Sequence, residues 1–171
     1  QGATKVGFLN LSNAWTTDSG FMNNTAPTSS IITLGGSNSV SYTGQPFVAY
    51  CWHGVEGFSK FGSYIGNGNA DGPFVYCGFK PAWVLVKCTA SGRDWRIYDS
   101  ARVSINPNNL VLYPNLTTVD TTTSHPIDFV SNGFKIRGTF DDINTNSGTY
   151  TFAAFAEHPS GGNGISPATA R

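Results

Sequence analysis

The stretch Ser147-Gly148-Thr149-Tyr150-Thr151-Phe152-Ala153-Ala154-Phe155-Ala156-Glu157 decides the reading of this chain, because a related stretch occurs earlier as Thr43-Gly44-Gln45-Pro46-Phe47-Val48-Ala49-Tyr50-Cys51-Trp52-His53. Gly44 aligns with Gly148 and Ala49 with Ala153, 104 positions apart, and each glycine precedes an apolar run of strand length. Upstream, Ile32-Thr33-Leu34 answers Phe134-Lys135-Ile136, and Phe8-Leu9-Asn10 answers Leu112-Tyr113-Pro114-Asn115. The later copy opens with Gly78 to Lys87 and Trp95 to Asp99, and nothing before Phe8 matches those residues. The sequence therefore reads as about one and a half copies of a β-rich unit, a self-similarity typical of proteins built by stacking modules.

Working outward, short runs rich in β-branched and aromatic residues recur at Phe47–Trp52, Phe74–Cys77, Trp83–Cys88, Trp95–Tyr98, Leu110–Tyr113, Ile127–Val130, Phe134–Arg137 and Thr149–Ala156. Gly, Asn, Pro and Ser punctuate them, and no window carries a helical stripe. Ser131-Asn132-Gly133 offers the Asn-Gly dipeptide of a tight hairpin. The expected fold is all-β: an antiparallel β-sandwich of jelly-roll type in which two sheets close face to face. Residues 1–53 read as an incomplete first module, 54–73 as an aromatic, Gly-rich connector, 74–159 as the second module and 160–171 as an extended tail. Phe58, Phe61 and Tyr64 make the connector too aromatic to be flexible, and they are expected to pack between the modules.

Charged residues are 12% of the chain and the formal net charge is +0, which leaves no electrostatic footprint for nucleic acid or an anionic membrane. No stretch approaches the roughly 20 apolar residues that span a bilayer, and Gln1 to Leu11 does not read as a signal peptide. Polarity comes from Asn, Thr, Ser and 20 Gly beside 13% aromatic residues, a composition suited to an extracellular or virion surface. Cys51, Cys77 and Cys88 read as small core hydrophobes, with a Cys77–Cys88 disulfide as the alternative.

Several strings are distinctive: Phe47 to Tyr64, including His53-Gly54-Val55-Glu56-Gly57-Phe58-Ser59-Lys60-Phe61-Gly62; Gly66-Asn67-Gly68-Asn69-Ala70-Asp71-Gly72-Pro73-Phe74-Val75; Ser131 to Arg137; and Ala153 to Pro159. Together they resemble an uncharacterised, often duplicated β-domain family of structural and tail-fibre proteins of tailed bacteriophages, many of them marine. That resemblance implies a virion location and that the chain is the C-terminal part of a longer gene product. It carries over no catalytic or binding residue.

Two loops alternate oxygen-bearing side chains as calcium loops do: Asn67-Gly68-Asn69-Ala70-Asp71 and Asp142-Ile143-Asn144-Thr145-Asn146. Asp71 and Asp142 are the candidate ligands, although Asx residues also cap turns through their own backbone, and neither loop has the distal Glu of an EF-hand. For ligand binding the candidates are Trp15, in a polar loop and so expected to be exposed, with Trp95 and Arg96. Alternation puts Asp94, Arg96 and Tyr98 on one strand face, expected to be a salt-bridged outer face, and Trp95, Ile97 and Asp99 on the other. Asp141 and Asp142 are adjacent and so make poor partners for glycoside hydrolysis, and no nucleophile elbow or metalloprotease motif occurs.

The function expected is that of a non-enzymatic virion protein, a tail-fibre or spike module or a head decoration at the particle surface, binding host-surface polysaccharide or a receptor. The alternatives are a polysaccharide-degrading enzyme and a cellular filament subunit. The incomplete first module predicts an unpaired sheet edge, and with it a homo-oligomer, trimeric in a fibre, or strands supplied from outside these residues.

Overall fold

Alternation sorts the side chains of residues 149–156 into two sets: Tyr150, Phe152 and Ala154 are buried, while Thr151, Ala153 and Phe155 face the other way and are half-covered. The computed structural model describes residues 2–90 and 92–158, and the expected tail at 160–171 lies outside them. A two-stranded pair comes first, β1 (Lys5–Val6) with β2 (Thr16–Thr17), followed by the short helix α1 (Ser19–Met22). Eight longer strands follow: β3 (Ser59–Ile65), β4 (Asp71–Tyr76), β5 (Pro81–Cys88), β6 (Arg96–Asp99), β7 (Asn108–Val111), β8 (Thr121–Val130), β9 (Gly133–Arg137) and β10 (Thr149–Ala156). A second short helix, α2 (Asp141–Asn144), precedes β10.

The eight strands form two antiparallel four-stranded sheets, ordered β3-β10-β5-β6 and β4-β9-β8-β7. Their inner faces meet in one core: Tyr64, Tyr150, Phe152, Ala154, Val84, Val86 and Tyr98 from the first, Val75, Phe134, Ile136, Ile127, Phe129 and Val111 from the second. The protein is an all-β sandwich. Among the described residues no helix is long and apolar enough to cross a membrane.

Residues 54–73, expected as a connector, include strand β3, which pairs with β10 from Ser59↔Phe155 to Ile65↔Thr149. The aromatic residues of that segment divide between the faces of the sheet. Tyr64 enters the core and stacks on Tyr150 at 5.0 Å, whereas Phe58 and Phe61 pack edge-on against Phe155 from the outer side. By contrast, Phe47–Trp52, the counterpart of β10, lies outside every strand and is exposed. Strands require partners for their main-chain groups, and no described residue supplies one to this segment.

The hairpin at Ser131–Asn132 forms one residue earlier than Asn-Gly chemistry suggests. Val130 pairs with Gly133, so Gly133 belongs to β9, and a Cβ built there would stand 2.1 Å from the Val75 carbonyl oxygen. The glycine serves close strand approach rather than a left-handed turn. Cys77 and Cys88 are buried, as expected, but Cys51 is exposed with its unpaired segment, and none of the three is in a disulfide. Burial pushes the Cys77 thiol up to about 11, keeping it protonated and inert.

Three tyrosine hydroxyls tie neighbouring elements to the core: Tyr64 donates to the Ile143 carbonyl of α2 (2.8 Å), Tyr150 to that of Asp141 in α2 (2.5 Å) and Tyr98 to that of His125 in β8 (2.7 Å). Asn144, fully buried, finishes the clamp. Its Oδ1 accepts from the Asn67 amide at 2.8 Å, and its Nδ2 donates to Asn67 Oδ1, Asn69 O and Gly138 O at 3.1, 2.8 and 2.7 Å. Asn144→Asp keeps the shape but sets a carboxylate against three oxygens that need donors. It is expected to destabilise the fold by about 3 kcal/mol or more in urea titration; a loss below about 1 kcal/mol contradicts the clamp.

Candidate binding surface and charged cluster

The register of the β3-β10-β5-β6 sheet aligns Phe61, Ala153, Leu85 and Ile97 in one row across its outer face, and Ser59, Phe155, Trp83 and Asp99 in the next. An antiparallel sandwich ordinarily turns polar side chains outward; here the outer face carries an apolar patch built on Phe61, Trp83, Leu85, Ile97 and Phe155. Phe155 is its hub, with ring centroids 5.6 Å from Phe61, 5.6 Å from Trp83 and 6.0 Å from Phe58. Leu9, Trp52 and Pro114 wall this floor to form a groove of about 560 Å³. A neighbouring groove of about 350 Å³ shares Trp52, Phe61, Leu85 and Ala153 with it and ends at Trp15 and Trp95. The two make one aromatic trough.

The N-terminal segment reaches this face through three tethers. Trp95 Nε1 donates to the Phe8 carbonyl (2.9 Å), Lys87 Nζ to that of Ser12 (3.1 Å), and the Trp15 amide to that of Thr89 (3.0 Å). Lys87 also donates to the Cys88 carbonyl at 2.8 Å, and its burial lowers its pKa from the ordinary lysine value. Trp52 stands beyond the tethers at the rim, 66% exposed, with its ring 6.2 Å from that of Tyr50 and nearly parallel to it.

Of the expected ligand-binding residues, Trp15 lines the trough but is half-buried, its indole packed on Gly7 so closely that a Cβ there would lie 2.8 Å from the ring. Trp95 is 7% exposed and Arg96 3%. The Arg96/Tyr98 face is the inner one and Ile97 the outer, opposite to expectation. Alternation tells which residues share a face and not which face is inside. Arg96 pairs with Asp142, donates to the Tyr113 hydroxyl at 3.0 Å and lies 4.9 Å over that ring.

Asp142 is therefore occupied. Besides Arg96 it faces Arg93 Nε at 3.8 Å and His125 Nε2 at 3.7 Å, while Asp141 pairs with Arg93 Nη2 at 2.7 Å. Asp71 sits 2.7 Å from Lys135 Nζ and 3.7 Å from Arg137 Nη1, and the lysine's hydrogen bond holds its carboxyl below the ordinary carboxylate range. The two oxygen-rich loops serve each other: Asn67 Oδ1 accepts from the Asn69 amide (2.9 Å) and Asn69 Oδ1 from the Asp71 amide (2.9 Å), while Asn144 bridges the loops. Among the described residues no three His, Cys, Asp or Glu side chains are grouped to hold a metal. Oxygens already satisfied by N–H donors bind calcium poorly, so millimolar calcium is expected to leave the melting temperature unchanged; a calcium-dependent rise that Asp71→Asn or Asp142→Asn abolishes contradicts this.

Thr123 Oγ1, His125 Nδ1 and, beyond the ring, Asp142 lie in sequence like a nucleophile, base and acid. The acid, however, is neutralised by Arg96. The threonine also caps its own strand by accepting from the His125 amide at 3.1 Å, and the imidazole packs on Phe140 at 4.0 Å. Burial, reinforced by Arg96 and opposed by Asp142, lowers the His125 pKa from 6.5. The unfolded chain therefore takes up a proton below about pH 6.5 that the folded chain refuses, and stability falls as pH drops through that value. His125→Gln is expected to flatten the stability profile between about pH 7 and 5.5 in urea titrations. An unchanged slope contradicts the assignment.

The outer face of the sheet could have been read from Pro81 to Val86, whose unbroken apolar run signals a strand covered on both faces. No curated protein and no solved structure matches the chain. A family model described as "Domain of unknown function (DUF7483)" matches residues 1–159, so the chain belongs to that family.

Proposed function

We propose that the chain is a non-enzymatic structural module of a bacteriophage virion, in a tail fibre, spike or head decoration, that works through the aromatic trough on its outer sheet face. The trough carries the reading: a chain of 12% charged residues presents Phe61, Trp83, Leu85, Ile97 and Phe155 where a solitary sandwich would be polar. Aromatic floors of this kind stack on sugar rings and bury against partner proteins. In this reading host-surface polysaccharide or a receptor is the ligand and further copies of the chain are its neighbours, with the trough as the shared surface. The resemblance of its sequence strings to phage structural proteins supports the virion setting, and the engagement of Asp141 and Asp142 with arginines favours binding over hydrolysis.

Incubation with host-surface polysaccharide separates the classes. Reversible retention with unshortened glycan is expected; shortened products indicate an enzyme, and no retention leaves a scaffold. Trp52→Ala trims the trough wall without touching the core and is expected to weaken retention at least about tenfold with an unchanged melting temperature. Unaltered retention contradicts a role for the trough.

A further inference from the structure

We propose that residues 47–53 form a strap that closes onto the free edge of β3 as a fifth strand of the β3-β10-β5-β6 sheet, and that closure withdraws Trp52 from the trough. Val55 and Ser59 have already begun the ladder. Each donates its amide to the other's carbonyl, at 3.0 and 2.8 Å, around a tight loop in which Gly57 has a positive φ of 73°. Just beyond, the chain leaves that path: the Ser59 hydroxyl donates to the His53 carbonyl at 3.0 Å, and Trp52 stands at the rim of the trough. The consequence for the trough rests on reading that groove as the binding surface; the strand pairing does not.

The edge of β3 is ready to receive it. β3 is an outer strand of its sheet and pairs with β10. The Ala156 amide donates to the Phe58 carbonyl and the Gly66 amide to that of Gly148, so the even-numbered residues of β3 turn their main-chain groups to β10. Those of Phe61, Ser63 and Ile65 point to the open side, next in line after Ser59. Among the described residues no main-chain group bonds them there.

Continuing the ladder from Val55 and Ser59 sets His53 opposite Phe61, Cys51 opposite Ser63 and Ala49 opposite Ile65 as hydrogen-bonded pairs, with Trp52 opposite Gly62 and Tyr50 opposite Tyr64 between them. The faces agree. Tyr64 is in the core, so Tyr50 and Trp52 join the inner side, where Gly62 has no side chain and an aromatic ring on the neighbouring strand covers such a glycine. The internal repeat gives the same parity from separate information, because it aligns Val48 and Tyr50 with the core residues Phe152 and Ala154. Val48, Tyr50 and Trp52 are 79%, 77% and 66% exposed in the open strap, and closure takes apolar surface out of water. Residues 47–52 carry no charge that would oppose addition to an edge.

Disulfide trapping tests the register. Ser63→Cys sets a thiol directly opposite Cys51, within disulfide reach, whereas Ile65→Cys sets it on the same face one pair further along and out of reach. With oxidised glutathione, Ser63→Cys is expected to link Cys51 to position 63 within one monomer, at a rate independent of protein concentration and at least about tenfold above that of Ile65→Cys. Cys77 and Cys88 are buried, and peptide mass spectrometry identifies the bond. In the oxidised protein the Ala49 and Cys51 amides are expected to exchange at least about tenfold more slowly than in the reduced protein, with Tyr50 and Trp52 amides unchanged, the alternation of an antiparallel ladder. Carbene labelling of Trp52 is expected to fall. Equal oxidation rates in the two variants overturn the proposal. So does a product that links two chains and forms faster at higher concentration, which assigns the edge to a second copy, and so does undiminished labelling of Trp52 in the oxidised protein. None of these readouts involves a glycan, so failure of the binding reading leaves them unmoved.

Discussion

Everything in the sandwich depends on β10 lying between β3 and β5. It is the one strand of the first sheet that joins the edge strand β3 to the β5-β6 hairpin, and it is the last strand in the described chain. Its pairing with β3 spans more than eighty residues of intervening sequence, so the first sheet closes only after the whole unit has been brought together. The Tyr64–Tyr150 stack sits at that junction, and both hydroxyls run on to carbonyls of α2. Sheet closure and loop placement are therefore one event.

From that constraint comes the fate of the two oxygen-rich loops. The turn after β3 and the helix before β10 are both anchored to the same pair of strands, which brings Asn67 and Asn69 against Asn144. Their oxygens and amides satisfy one another around the buried Asn144, where an unmatched polar atom is costly. The acidic groups beside them are taken by nearby cations: Arg96 of β6 and Arg93 just before it for Asp142, Lys135 of β9 for Asp71. The polar chemistry of this end of the molecule is consumed in holding the sheets in register, and the surface left for other molecules is the apolar one.

Much of this was legible in the sequence. The runs at Trp83–Cys88, Phe134–Arg137 and Thr149–Ala156 announced strands because they are short, rich in β-branched and aromatic residues and bounded by turn residues. Ser59–Ile65 escaped because Gly62 and Ser63 interrupt its pattern and its aromatic residues go to both faces, as an edge strand under a covered surface allows. Arg96 was placed on the correct face and that face on the wrong side of the sheet, since period-2 alternation is blind to which side is inner. Trp95 was a ligand-binding candidate; it is 7% exposed, and its indole nitrogen reaches the Phe8 carbonyl, a contact across eighty-seven residues that no local pattern encodes. The repeat aligns Phe47–Trp52 with Thr151–Ala156, yet only the later stretch lies in a strand, because only it has β3 and β5 on either side.

The central claim is that the outer face of the β3-β10-β5-β6 sheet exists to be covered by another molecule. Carbene footprinting of the isolated protein and of the same protein in purified particles tests it most directly, read at Trp52, Trp83 and Phe155. The account predicts strong labelling of all three in isolation and protection in the particle or in the presence of bound polysaccharide, with labelling of Tyr76 on the opposite sheet unchanged. Equal labelling of the trough in every state would contradict it.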